Sequence, residues 1–235
     1  MQDEIPLRGG RVTPGVVRVG DTVRRPIGRH SDFVHELLLY LESIDFPHAP
    51  RFLGIDGQGR EILSYLEGWV PPDLQAFSDA QTRAAARIIK RYHDATAGTP
   101  LAGDQEVVCH GDLSPCNFVF PDGSPDFLID FDAAAAGARR IDLGYAIWLW
   151  LDLGNPELDP HETGQRVAAF LYEYGPGGPP DPIQAILDSQ DWLTDRCNER
   201  PNSYTGKVAA WARSCRRWVE QHRGRLEAGL AAGAA

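Results

Sequence analysis

The chain has few of the residues that mark secreted or membrane proteins. It has only 4 cysteines in 235 residues, and none stands in a C-x-x-C pair. That argues against a disulfide scaffold. Cys109, Cys116, Cys197 and Cys215 are therefore read as reduced thiols, and the Cys109/Cys116 pair as thiols rather than half a zinc site. No run reaches the roughly 18 apolar residues of a membrane span. The longest apolar stretch, Leu143–Leu153, is broken by Gly144 and Asp152. The opening MQDEIPLRGG is acidic and lacks an apolar core, so no secretory leader is expected and a cytoplasmic location is the default. Positive charge is also short, with 23 Lys and Arg against 33 Asp and Glu for a net charge of −10. This argues against nucleic acid or an anionic membrane as partner. It is compatible with a cationic small substrate, and equally with simple solubility. Finally, there is no G-x-G-x-x-G. The first part of the chain offers only Gly9-Gly10 and Gly15, so a phosphate-covering loop would be short or of another kind.

What remains, 43% hydrophobic and 24% charged, is the composition of an ordinary globular chain able to bury a substantial core. Residues 7–26 read as short strands with a turn at Gly20-Asp21. Ser31 or Asp32 reads as the N-cap of a helix carrying Phe33, Val34, Leu37, Leu38 and Leu41. Arg51–Asp56 and Glu61–Leu66 form two further strands around Gly57-Gln58-Gly59. Gly68, Pro71 and Pro72 then punctuate the chain. The expectation is an α+β, two-lobed architecture: a small antiparallel-sheet lobe plus one helix over residues 1–66, a hinge near 64–72, and a larger, mainly helical lobe over 67–235. The second lobe should hold helices near 78–97, 142–153, 160–174, 181–196 and 204–230. A short hairpin of Phe118–Phe120 and Phe127–Ile129 falls between the first two, and the Ala/Gly-rich tail after Leu226 should fray.

The stretch with most chemistry is VVCHGDLSPCNFVFPDGSPDFLIDFD, residues 107–132. It puts His110, Asp112, Asn117, Asp130 and Asp132 on two loops joined by the hairpin, which brings Asn117 and Asp130 side by side. An amide oxygen with one or two carboxylates is a hard-oxygen set suited to Mg²⁺, whose other ligands come from phosphates and water. Asp112 would lie across from the metal, where a hydroxyl could hydrogen-bond to it. That arrangement suits phosphoryl transfer from a nucleotide. His110 reads as a holder of loop backbone. Asp132 reads either as a metal ligand or as a group behind one.

HGDLSPCN followed by LIDFD resembles the aminoglycoside phosphotransferase family, small-molecule kinases with the protein-kinase-like fold. His110, Gly111, Asp112, Pro115, Asn117 and Asp130 fall at the family's positions. Arg140-Ile141-Asp142-Leu143-Gly144 and the helix ending Tyr92-His93-Asp94 continue the likeness, which spans about residues 7–153 and fades in the C-terminal helices. The resemblance implies ATP or GTP as donor and Mg²⁺ as cofactor. It makes Asp112 the base or hydroxyl-orienting group, Asn117 and Asp130 the metal ligands, and Asp142 the brace of the catalytic loop. It places Arg24 against the nucleotide phosphates, Glu36 as the carboxylate partner of Arg24, and Ser64–Leu66 where backbone meets the base. Arg25 is adjacent on the opposite strand face, so a slip of one residue would exchange the two arginines.

Between Asp130 and Asp142 lies only Phe131–Ile141, with five alanines. That leaves no room for a protein-docking segment, so the acceptor is expected to be a small hydroxylated molecule. An aminoglycoside-like antibiotic is one candidate, with antibiotic resistance as the role. A metabolic alcohol of choline, homoserine or sugar type is another. A nucleotide-binding pseudo-enzyme without turnover is the rival from a different class. For a cationic acceptor, Asp152 and Glu157 are the best-placed acids of the divergent half, ahead of Asp159, Asp188, Asp191 and Asp195. Of Trp148 and Trp150, at least one should be core.

Overall fold

The protein is described here from a computed structural model that covers residues 3–7, 15–199 and 201–234; Gly9-Gly10 lie outside the described residues. Five strands form one antiparallel sheet: β1 (Ile5–Pro6), β2 (Val17–Val19), β3 (Thr22–Pro26), β4 (Phe52–Ile55) and β5 (Arg60–Ser64), in the order β1-β2-β3-β5-β4. The register sets Arg24 opposite Ile62 and Arg25 opposite Glu61. Because side chains alternate along a strand, this pairing decides which arginine meets a carboxylate across the sheet.

Helix α1 (Ser31–Ser43) runs between β3 and β4 and buries Val34, Leu37, Leu38 and Leu41. Neither Ser31 nor Asp32 caps it. The N-cap is His30, with no side-chain bond, and Ser31 Oγ instead accepts from the Gly28 N–H at 2.8 Å. Helix α2 (Asp79–Thr96) starts as its sequence predicts, with a reciprocal capping box between Ser78 and Gln81.

Two small strand pairings follow. β6 (Val107–Cys109) pairs with β9 (Ala135–Gly137), and β7 (Phe118–Val119) with β8 (Phe127–Leu128). β9 was not expected from its alanines. It exists because β6 offers an edge directly beneath the loop it carries. Helices α3 (Arg139–Trp150), α4 (Pro160–Tyr174), α5 (Pro182–Glu199) and α6 (Ser203–Gly233) complete the helical part.

The tail does not fray after Leu226; α6 continues to Gly233. Gly164 of α4 lies against the Leu226 carbonyl, and Gly229 of α6 against the His161 carbonyl, so closely that a Cβ at either would collide with backbone. The glycines that made the tail look weak are what let two helices approach. Both Trp148 and Trp150 are core, each 1% exposed. No helix among the described residues is long and apolar enough to cross a membrane.

Candidate active site

The loop after β6 is built around Asp142 on α3. The Asp142 carboxylate accepts the His110 N–H at 2.7 Å and the Gly111 N–H at 2.9 Å, and His93 Nε2 of α2 lies 3.0 Å from it. His93 Nδ1 in turn meets the Tyr174 hydroxyl at 2.9 Å. Burial opposes the charge on Asp142, but these donors outweigh it and hold the carboxyl below its usual value. Gly111 has φ +78 and packs on the Ala133 carbonyl, where a Cβ would collide, so only glycine lets the two loops meet this closely. Trp150 Nε1 donates to the Leu113 carbonyl at 3.2 Å and anchors the far side. His110 is fully buried. Its Nε2 donates to the Ile129 carbonyl at 3.1 Å and its Nδ1 accepts the Asp112 N–H at 3.3 Å, which fixes one neutral tautomer. Burial lowers its pKa.

Within this frame, Asp112 has a buried Oδ1 that accepts no hydrogen bond. An unsatisfied carboxylate oxygen in a loop otherwise tied at each end suits a hydroxyl donor from outside the chain. Asn117 Nδ2 donates to the Asp112 carbonyl at 2.9 Å, which leaves the amide oxygen for another partner.

The second loop follows β8. Asp130 takes a left-handed conformation, φ 64, which an aspartate tolerates better than most residues. Burial, then the neighbouring charge of Asp132, raises its pKa. Both carboxylates share one cation, Arg25, which offsets only part of this rise. With the Asn117 amide they form a hard-oxygen set that fits Mg²⁺. No group of three or more His, Cys, Asp or Glu that could by itself hold a metal ion occurs among the described residues.

The cation that reaches this loop is Arg25. Its guanidinium lies 3.4 Å from Asp130 Oδ1, pairs with Asp132, and lies 2.6 Å from Glu61 Oε1 on β5. Burial works against its charge, and the three carboxylates more than compensate, raising its pKa. Arg24 occupies the other face of β3, donating to Thr22 Oγ1 at 2.6 Å with Asp56 at 3.8 Å. Glu36 is exposed and pairs with neither arginine. The carboxylate behind the strand cation is instead Glu61, and α1 supplies His35, whose Nε2 lies 2.6 Å from Glu61 Oε2 and whose ring stacks on Phe52 at 3.8 Å. The ion pair of β3 with a buried carboxylate is thus Arg25 with Glu61, and Arg24 and Glu36 are not paired with each other. Of the expected hinge, Ser64 is committed to the sheet: its N–H donates to the Arg51 carbonyl and its hydroxyl accepts the Arg51 N–H, both at 2.9 Å. Leu66 lies just beyond the strand.

On the other side of Asp112 stands Tyr145 of α3. Its hydroxyl is raised well above its usual pKa by burial, then by the charge of Asp112 and a hydrogen bond to it. Tyr145 was not singled out from sequence, although it lies three residues after Asp142 and therefore on the same helix face. The acids of the C-terminal half lie elsewhere. Asp152 accepts from Asn155 Nδ2 at 2.9 Å, and Glu157 is exposed with its N–H on Asn155, so both serve the turn after α3. Asp188 pairs with Arg140 at 2.7 Å, Asp191 with Arg216 at 2.6 Å, and Asp159 with Arg225 at 2.6 Å.

Residues 18–180 match the family model described as "Phosphotransferase enzyme family". A trifolitoxin immunity protein of Rhizobium leguminosarum bv. trifolii is 32% identical over 265 aligned positions, covering 98% of this chain and all of the relative. Among solved structures, a microcompartment-associated aminopropanol kinase superposes with a TM-score of 0.63 at 13% identity, covering 92% of this chain and 90% of the other. The ADP-bound aminoglycoside phosphotransferase APH(2'')-Ib gives 0.58 at 16% identity, covering 91% and 93%. Both superpositions bear on the fold: a five-stranded antiparallel sheet followed by a mainly helical remainder, as in small-molecule kinases.

Proposed function

The chain belongs to the phosphotransferase enzyme family, and on that premise we propose that it moves the γ-phosphate of ATP or GTP to a hydroxyl of a small molecule. The observation that carries this reading is the buried, unpartnered Asp112 Oδ1 beside an Asn117–Asp130 oxygen set. Residues 1–66 would serve as the nucleotide lobe and 67–235 as the catalytic and acceptor lobe, in a cytoplasmic enzyme. Asn117 and Asp130 would hold Mg²⁺, with Asp132 beside them; the ion would neutralise phosphate charge and help orient the donor. Arg25, paired with Glu61, which His35 in turn holds, would supply positive charge to the same phosphates. Asp112 Oδ1 accepts the acceptor's hydroxyl proton and orients that oxygen. The oxygen forms a bond to the γ-phosphorus as the bond from phosphorus to the β-phosphate oxygen breaks, and the nucleoside diphosphate leaves. Because such transition states are loose, positioning by Asp112 matters more than its basicity.

The relative named for immunity to trifolitoxin favours a protective reaction on a toxic compound over a metabolic alcohol kinase. The test is Asp130→Ala. It should abolish Mg²⁺-dependent nucleotide turnover while the far-ultraviolet circular dichroism stays that of a folded protein. Turnover at the wild-type rate would sink the metal assignment, and absence of turnover in the wild type against every acceptor would favour a nucleotide-binding module.

A further inference from the structure

The wall that faces Asp112 from the helical side is aromatic and ends in a positive charge. Tyr145, against the Asp112 carboxylate, lies 6.2 Å from Trp192 of α5 in an edge-to-face contact. Arg196, one turn further along α5, stands over the Trp192 ring at 5.1 Å, and its charge is felt at the Tyr145 hydroxyl. Trp148 lies 5.9 Å from Tyr145 and stacks on Trp211 of α6 at 4.8 Å. Trp192 is 38% exposed and Trp211 37%, so part of each ring meets solvent, while Trp148 is buried behind them. Arg196 forms no ion pair among the described residues, whereas Arg140 and Arg216 nearby on α3 and α6 each hold a carboxylate of α5. Asp188 and Asp191, which could have welcomed a polycation, are thus neutralised, and the charge that stands on the aromatic wall is that of Arg196.

We propose that the acceptor carries a flat apolar or aromatic body and an anionic group, the body lying on Trp192 and the anion on Arg196 while its hydroxyl meets Asp112. This rests on the phosphotransferase reading and narrows its acceptor. Amino alcohols and aminoglycosides become poor substrates, since an ammonium group would sit against Arg196. The sequence of features, hydroxyl-binding carboxylate, then ring, then guanidinium, fits a hydroxyaryl carboxylate. The bond changes are those of the parent reaction: the aryl or alkyl oxygen bonds the γ-phosphorus, its proton goes to Asp112, and the nucleoside diphosphate departs. Arg196 touches the substrate's far end and takes no part in that exchange.

Three probes of like size separate the alternatives: para-hydroxyphenylpropanoate (anionic), tyrosol (neutral) and tyramine (cationic). Their binding to the full chain is read by quenching of tryptophan fluorescence. The carboxylate should bind about tenfold more tightly than tyramine, and Arg196→Ala should erase that preference. Trp192→Ala should weaken carboxylate and tyrosol together. Both residues are exposed, so the variants should fold, and circular dichroism checks this. In turnover, Arg196→Ala should raise KM for the carboxylate with kcat little changed. Equal or tighter binding of tyramine, indifference to Arg196→Ala, or no saturable binding of the carboxylate would each overturn the proposal. The parent reading is tested separately by Asp130-dependent nucleotide turnover. Arg196-dependent selectivity without turnover would remove the phosphotransferase reading and keep the ligand class; turnover with tyramine preferred would do the reverse.

Discussion

The two halves of the candidate site are held by different forces. The catalytic loop is fixed by buried hydrogen bonds: Asp142, 1% exposed, ties two successive backbone N–H groups and His93, and Trp150 ties the other flank. The strand cation is held by ion pairs and charge-assisted hydrogen bonds that reach toward solvent. Arg25 bridges Glu61 on its own sheet to Asp130 and Asp132, whose side chains are 49% and 44% exposed. A buried network of neutral and charged partners has one favoured geometry and is costly to disturb. A half-exposed ion bridge between two parts of a chain is screened and exchangeable. On the proposed reading, the acceptor side is built before ligand arrives, while the donor side would yield Asp130 to a metal and turn Arg25 toward phosphate.

The largest break in that comparison is Asp142→Ala. It leaves two buried N–H groups and His93 without their acceptor, and breaking a buried ionic network in this way costs about 3–5 kcal/mol. Urea denaturation should show that loss together with loss of activity, and Asp142→Asn, which keeps one acceptor oxygen, should retain part of both. A variant as stable as the wild type would mean that the loop is held elsewhere.

Next in size is the pair Arg25→Ala and Arg24→Ala. Removing the charge proposed to face the phosphates should lower kcat/KM for the nucleotide about a hundredfold. Removing its neighbour, paired with Asp56 on the outer face, should change stability by about 1 kcal/mol or less and leave turnover near wild type. Steady-state kinetics on both variants decide it, and the opposite ranking would restore Arg24 to the phosphates. The contrast sharpens with Glu61→Gln, which should raise the nucleotide KM by loosening Arg25 without touching the catalytic loop.

The same contrast explains what could be read from the sequence. The loop geometry of the candidate site was legible because its residues are close in the chain: His110, Asp112 and Asn117 share one loop, and a short hairpin joins it to the loop of Asp130. The donor half was not, because Arg25 meets Glu61 through a strand register between residues 36 positions apart, and one step of slip exchanges the arginines. Glu36, at helical spacing on an α1 that does form, was a reasonable partner by position; it is exposed because Val34, Leu37, Leu38 and Leu41 claim the inward face. The acceptor wall was less legible still. Trp192, Arg196 and Trp211 lie on α5 and α6, and only the packing of those helices on α3 brings them to Tyr145. The two-lobed α+β layout needed no such long-range information, since strand-rich and helix-rich segments follow one another along the chain.

The smallest effect concerns His110 and tests whether the loop is held by a neutral ring. Burial lowers the His110 pKa, so the folded protein keeps the ring unprotonated where an unfolded chain, near about pH 6.5, begins to take up a proton. The contribution is fully present above that value and is lost as pH falls from it toward the lower folded value, at no more than about 1.4 kcal/mol per pH unit for one proton. His110→Gln removes the titration but can keep both bonds, its amide N–H on the Ile129 carbonyl and its amide oxygen on the Asp112 N–H. The wild-type lead in Tm over this variant should therefore shrink between about pH 7.5 and about pH 5.5, a range in which most carboxylates stay ionised. A lead that stays constant, or grows on acidification, would mean that His110 carries a proton in the folded state, and the single-tautomer brace inferred for this loop would fall with it.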